Sequence, residues 1–128
     1  MRQILVDTQI ALWILLEAIE LPKRYVELTK QSDIRWIFHQ VSLWEVQIKY
    51  DIGKLTLPSA PHTFLLDAVS ASGFDRELIQ DEGIFMLNKL PPIHRDPFDR
   101  LLIAHALVHG WEIATTDGQI ARYPVRII

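Results

Sequence analysis

Asp99 sits in the string HRDPFDRLLIAHAL, which runs from His94 to Leu107. On a helical wheel of about 100° per residue, Leu102, Ile103 and Ala106 flank it within about 60° on either side. The carboxylate therefore stands in the middle of an apolar face, in the first helical turn. An acid that only favours the helix dipole has no need to face the core. Asp96 is different: it precedes Pro97 and reads as the N-cap of this helix. Glu45 repeats the Asp99 pattern in VSLWEVQIKYDI, where Val41, Trp44, Ile48 and Ile52 form a stripe at helical spacing with Glu45 inside it. Ser42 and Glu45 also match a capping box, S-x-x-E. Capping and ligation are compatible there, since a carboxylate has two oxygens. Asp7 directly follows the apolar run Ile4-Leu5-Val6, and Asp117 follows Ile113–Thr115 in TTDG. Each has a plain structural reading, as a helix cap for Asp7 and an Asp-Gly turn for Asp117.

The four acids say more together than singly. Two follow strands and two lie in first turns of helices. In an open α/β sheet, ligands bind at the carboxyl ends of the strands, and the four carboxylates are expected to converge there. Two carboxylates at about 4 Å repel by about 4 kcal/mol at an effective dielectric near 20, so such a cluster needs a proton or a cation. Acid oxygens without histidine or cysteine partners suit Mg²⁺ or Mn²⁺. A pair of such ions about 3.5–4 Å apart serves in-line displacement at phosphorus.

The elements that must position these acids follow from pattern. Ile4–Val6 reads as a buried strand and Thr8–Leu16 as a helix; Pro22 opens a second helix through about Gln31. Arg35–Phe38 is a short strand, and Ser42–Ile52 a helix closed by Gly53. Leu55–Pro61 connects to a helix over Thr63–Ser72, which ends at Gly73. Asp81–Asn88 is another short helix, and Leu90-Pro91-Pro92 breaks the chain. Pro97–His109 is the clearest helix, with Gly110 just past its end. Ile113–Thr115 and Val125–Ile128 read as strands. Strands alternating with helices predict an α/β fold with a central parallel sheet. No linker or repeat interrupts residues 1–128, which reads as one domain.

Composition narrows the classes. The chain has 128 residues, 49% of them hydrophobic, and no cysteine, so a thiolate metal site and a cysteine nucleophile are excluded. The N-terminus lacks the long apolar region of a signal peptide, and no stretch reaches membrane-spanning length; both predict a cytoplasmic protein with no membrane partner. The formal net charge is −3, whereas nucleic-acid binders are usually basic. Acids gathered around divalent ions are neutralised locally, which offsets part of that objection.

LVDTQIALW, SLWEVQIKYDIGKL, HRDPFDRLLIAHAL and IATTDGQIARY, in this order, resemble the PIN-domain family, and in particular the VapC-type toxins of bacterial toxin–antitoxin pairs. The resemblance spans the chain from Asp7 to the last strand. It implies a three-layer α/β fold, a parallel sheet flanked by helices, whose acidic pocket binds Mg²⁺ or Mn²⁺ and cleaves RNA. Carried over by position, the pocket acids, both catalytic and metal-binding, are Asp7, Glu45, Asp99 and Asp117. Asp99 is favoured over Asp96 as the ligand. Thr8 and Thr116 flank pocket acids and are placed to orient water or phosphate. The resemblance further implies a homodimer and an antitoxin whose tail enters the groove. Gln9 and His105 depart modestly from the family pattern.

The remaining residues have plainer readings. His105 and His109 lie on the polar arc of their helix and read as surface or interface residues. Arg95 and Arg100 are open to phosphate contact or to ion pairs with Asp96 or Asp99. Lys49 and Lys54 are solvated lysines that could extend an RNA track. Trp13 and Trp44 are expected in the core or a dimer contact rather than stacked on bases. Three other readings compete. A haloacid-dehalogenase-type phosphatase needs a second Asp where Gln9 stands. A receiver domain needs an acidic pair after the first strand. A non-catalytic interaction module, whose acids only cap helices, remains open.

Overall fold

The computed structural model describes all 128 residues. The elements in chain order are β1 (Arg2–Val6), α1 (Thr8–Leu15), α2 (Lys23–Thr29), β2 (Ile34–His39), α3 (Gln40–Asp51), α4 (Pro61–Ala71), β3 (Asp75–Glu77), α5 (Asp81–Met86), α6 (Pro97–His109) and β4 (Glu112–Ala114). The strands form one sheet in the order β3-β2-β1-β4, and every pairing is parallel. This is the expected α/β architecture with a central parallel sheet. No helix is long and apolar enough to cross a membrane.

Strand residues alternate between two apolar layers, because successive side chains leave opposite faces of a strand. Ile4, Val6, Trp36 and Phe38 pack on one face with Ile10 of α1, Tyr25 of α2, Val46 of α3 and Leu65 of α4. Leu5, Ile37 and Ile113 pack on the other face with Leu102 and Ile103 of α6. Covering both faces is what makes β1 and β2 read as continuous apolar runs. Helix α6 has the predicted bounds: Asp96 caps it by accepting the N–H groups of Phe98 at 2.8 Å and Asp99 at 3.0 Å. Gly110 ends it in the left-handed region, at φ 73°.

The structure departs from pattern in five places. β3 reads DRE and carries no apolar signal; it is an edge strand held by Arg35 of β2, which binds Asp75 at 2.7 Å and Glu77 at 2.6 Å. The strand expected at Val125–Ile128 is reduced to a single bridge between Ile113 and Ile127, because Val125 N–H turns back to the Tyr123 carbonyl at 2.8 Å. Helix α3 begins at Gln40 rather than Ser42. Its cap is His39, whose Nδ1 accepts the Val41 N–H at 3.1 Å, so the capping box at Ser42 is not formed. The buried face of α3 is Val41, Ser42, Glu45 and Val46, while Trp44 and Ile52 of the expected stripe are 52% and 60% exposed. Trp44 packs edge-on against Phe98, at 5.1 Å between ring centres, rather than in the core.

The fifth departure is His105, which is fully buried rather than at the surface. Helix α5 lies across the arc that looks polar in sequence. His105 Nδ1 faces the Leu101 carbonyl at 2.9 Å, and its Nε2 accepts the Gln80 N–H at 3.0 Å. Gly83 of α5 lies flat on this ring, and a Cβ there would come within 2.3 Å of His105 Nε2. The ring is bonded at both nitrogens and cannot give way cheaply. Gly83→Ala is therefore expected to destabilise the protein by about 2–3 kcal/mol through overpacking. Urea unfolding at neutral pH measures this, and a variant as stable as wild type would remove the clamp from the account.

Candidate metal centre

The four acids reach one cavity from four parts of the chain. Asp7 follows β1, and its N–H bonds the carbonyl of Ala114 at the end of β4, at 3.1 Å. This pairing fixes where the first acid stands relative to the chain entering Asp117. Asp7 Oδ1 caps α1 by accepting the Ile10 N–H at 2.8 Å, and Oδ2 accepts the Thr115 hydroxyl at 2.5 Å. The same Thr115 oxygen accepts the Asp117 N–H at 2.9 Å, so one hydroxyl couples two acids. Thr115 is itself held by the buried Tyr25 of α2, whose hydroxyl accepts its N–H at 3.0 Å.

Glu45 is buried on the inner face of α3. Its Oε1 accepts the Thr8 hydroxyl at 2.6 Å, and its Oε2 meets Lys49 Nζ at 2.5 Å, one helical turn on. Thr8 Oγ1 lies 2.9 Å from Ser42 Oγ, which ties the start of α1 to the start of α3. Asp99 projects from the first turn of α6, and Asp117 follows β4. Together Asp7, Glu45, Asp99 and Asp117 line a cavity of about 500 Å³. Thr8, Thr116, Asp96, Lys49 and Lys54 also line it.

Capping alone does not account for this set. Asp7 and Asp96 do cap helices, and Asp117 Oδ1 accepts the Gln119 N–H at 2.8 Å. Glu45 and Asp99 accept no backbone N–H. Their oxygens face side chains and the cavity.

Ionisation is opposed at two of the four acids, Asp7 and Asp99. Burial pushes the Asp7 carboxyl above its ordinary range, against the Thr115 and Ile10 hydrogen bonds, and Asp117 and Glu45 add to the rise. Asp99 is pushed up to about 7, by burial first, then by Asp96 and Glu45, with His94 opposing. Asp117 is held below its ordinary value: burial opposes its charge, but the hydrogen bonds from His94 and the Gln119 N–H outweigh it. Buried carboxylate oxygens such as those of Asp7 and Asp99 fit a hard divalent cation.

Three contributors had little or no signal in sequence. Thr115 stands two residues before Asp117, the spacing of a Thr-capped turn. Ser42 was legible only as a cap. His94 lies beside two of the lining acids, with Nε2 3.0 Å from Asp99 Oδ2 and 2.9 Å from Asp117 Oδ2, and these three residues alone bring ligand atoms within 4.8 Å of one another. Neither arginine of the same string pairs with Asp96 or Asp99. Arg95 is exposed and unpaired, and the Arg100 guanidinium binds the carbonyls of Pro91 and Leu87 and the Tyr123 hydroxyl.

The fold has solved counterparts. A structure of VapBC2 from Rickettsia felis bound to a DNA fragment from their promoter matches with TM-score 0.73 and 16% identity, covering 98% of this chain and 97% of that one. A DNA-bound VapBC from Salmonella typhimurium matches with TM-score 0.68 and 18% identity, covering 100% and 98%. A toxin–antitoxin complex from Klebsiella pneumoniae matches with TM-score 0.61 and 15% identity, covering 97% and 94%. No curated protein matches by sequence. The family model described as PIN domain matches residues 4–125, nearly the whole length, and the chain belongs to the PIN domain family.

Proposed function

We propose that residues 1–128 work as one PIN-like domain, an endoribonuclease dependent on Mg²⁺ or Mn²⁺ and the toxin of a cytoplasmic toxin–antitoxin pair. The observation that carries this is the convergence of Asp7, Glu45, Asp99 and Asp117 on one polar cavity. Family membership supports a nuclease, and the likeness to VapBC and toxin–antitoxin complexes supports an antitoxin partner.

Asp7, Glu45 and Asp99 are the main ligand candidates, with Asp117 a ligand or the acid beside them. When bound, the metal supplies an activated water and charge neutralisation at the phosphate. The chain's own residues do the rest. Thr115 and Thr8 hold Asp7 and Glu45 in one rotamer each through their hydroxyls. Thr116 offers a hydroxyl at the cavity wall to water or phosphate, and Lys49 and Lys54 put positive charge on its rim. Hydrolysis by water leaves a 5′-phosphate and a 3′-hydroxyl. With a formal net charge of −3, the chain suits an antitoxin with a basic segment for the groove. Pairing as a homodimer completes the reading.

Purified protein is expected to cut RNA in Mg²⁺ or Mn²⁺ and to stop in EDTA. Asp7→Ala is expected to lose the cleavage while keeping its fold by circular dichroism. Cleavage by Asp7→Ala at the wild-type rate sinks the assignment.

A further inference from the structure

Tyr25 of α2 does not line the cavity, yet its hydroxyl reaches Thr115, the residue that joins two of the cavity's acids. The tyrosine is fully buried, in the apolar layer that α1, α2, α3 and α4 pack onto the sheet. Its hydroxyl oxygen accepts the Thr115 N–H at 3.0 Å and stands 3.0 Å from the Thr115 carbonyl oxygen. The Ile128 carbonyl lies within reach of the same hydroxyl, so one proton serves two carbonyls. From the outer side, Arg24 Nη2 donates to the hydroxyl at 3.2 Å, and its guanidinium lies over the ring, 4.5 Å from the ring centre. The phenol, with one proton to give and an oxygen to accept, is fully occupied by protein groups.

Thr115 needs this partner because the sheet does not supply one. β1 and β4 pair as far as Val6 and Ala114, and Thr115 is the next residue. Ile113 turns its backbone away from β1: its N–H donates to the Arg126 carbonyl at 2.8 Å, and its carbonyl accepts the Ile128 N–H at 3.1 Å. Thr115 stands two residues on and faces the same side, by the strand's period of two. A buried backbone N–H must find an acceptor, and there it meets the Tyr25 hydroxyl where a strand would otherwise lie. The Thr115 side chain then donates to Asp7 Oδ2 at 2.5 Å and accepts the Asp117 N–H at 2.9 Å. A tilt of the Thr115 backbone moves that oxygen, and both acids follow it.

We infer that Tyr25 is a positioning residue of the metal centre. Its hydroxyl fixes the Thr115 backbone, and through the Thr115 hydroxyl it fixes Asp7 and the chain at Asp117. This rests on the metal-dependent nuclease reading above. Groups that orient ligands from behind commonly carry about tenfold or more in metal affinity or activity.

The test uses the full chain as wild type, Tyr25→Phe and Val69→Ala. Phenylalanine keeps the packing and removes only the hydroxyl. Val69 is buried on α4 in the same apolar layer and is absent from the cavity lining, so its truncation lowers stability without touching Thr115. Mn²⁺ binding is measured by calorimetry, and RNA cleavage at saturating Mn²⁺. Tyr25→Phe is expected to bind Mn²⁺ about tenfold more weakly and to lose about tenfold in kcat with an unchanged KM for RNA. Val69→Ala should match wild type in all three. In a Thr115→Val background, Tyr25→Phe should weaken Mn²⁺ binding no further, since the path is already cut. Arg24→Met should shift both quantities the same way by about threefold, and it decides the matter if Tyr25→Phe does not fold. Wild-type Mn²⁺ affinity and kcat in Tyr25→Phe, equal losses in Val69→Ala, or a full further loss in the Thr115→Val background overturns the positioning role and leaves the nuclease reading intact. A wild-type protein that neither binds Mn²⁺ nor cuts RNA removes that reading and the role of Tyr25 with it.

Discussion

Asp99→Asn is expected to abolish the proposed metal-dependent RNA cleavage without weakening the metal-free fold. The two effects separate because of what surrounds this carboxyl. Asp99 is pushed up to about 7 by burial and by the charges of Asp96 and Glu45, so its ionised form is a burden on the metal-free protein. Asparagine removes that charge and keeps the shape. It also keeps an oxygen facing His94 Nε2, now 3.0 Å from Oδ2. Stability in EDTA should match wild type or exceed it. A divalent ion loses an anionic ligand and several kcal/mol of charge stabilisation, which amounts to about 10²–10³ in cleavage rate and a similar loss of Mn²⁺ affinity. Calorimetry, urea unfolding and a cleavage assay on one preparation check all three. Wild-type Mn²⁺ affinity in Asp99→Asn would return this acid to a structural role.

The second large effect is loss of stability in acid through His39. This ring is fully buried at the start of α3. Its Nδ1 accepts the Val41 N–H, so the folded protein needs it neutral. It lies 4.3 Å from the His105 ring, centre to centre, and His109 stacks on Trp111 at the far side of the same cluster. Burial, then the nearby His105 and His109, lower its pKa from 6.5 to about 3, with the Leu78 carbonyl opposing. The sign is as follows for a base with a depressed folded pKa. Below 6.5 the unfolded chain takes up a proton that the folded protein refuses until about pH 3. Stability from this group is complete above pH 6.5 and declines as pH falls toward 3. At pH 4.5 the loss is about 3 kcal/mol, at about 1.4 kcal/mol per pH step. His105 is lowered by burial as well and acts in the same direction. His39→Asn keeps an acceptor for the Val41 N–H but does not titrate. The stability difference between wild type and this variant should therefore shrink or reverse between pH 7.5 and pH 4.5. A pH-independent difference would mean the ring is protonated in the folded state.

Much of this site was legible before any tertiary structure. Residue type alone excluded a thiolate centre. Helical period placed Asp99 on an apolar face, and Pro97 and Gly110 bounded α6 to the residue, because capping and backbone restriction act within a few positions. Position after an apolar run placed Asp7 and Asp117 at strand ends. These are local facts, and local facts survive folding. What lies over a helix is not local. The arc of His105 looked polar and is buried, because α5 covers it and Gly83 leaves room for the ring. Ser42 matched a capping box, yet His39 caps α3, because β2 runs on to His39 and hands the chain directly to the helix. β3 carries no apolar pattern, because ion pairs with Arg35 hold it at the edge. The joining of Asp99 and Asp117 through His94 needed the chain ends of α6 and β4 brought side by side. The sequence by itself determined which acids are available and which way each faces its own helix or strand. Only the tertiary structure decided which of them share a cavity and which hydroxyl or imidazole ring stands between them, since those distances are set by parallel pairing between segments far apart in the chain.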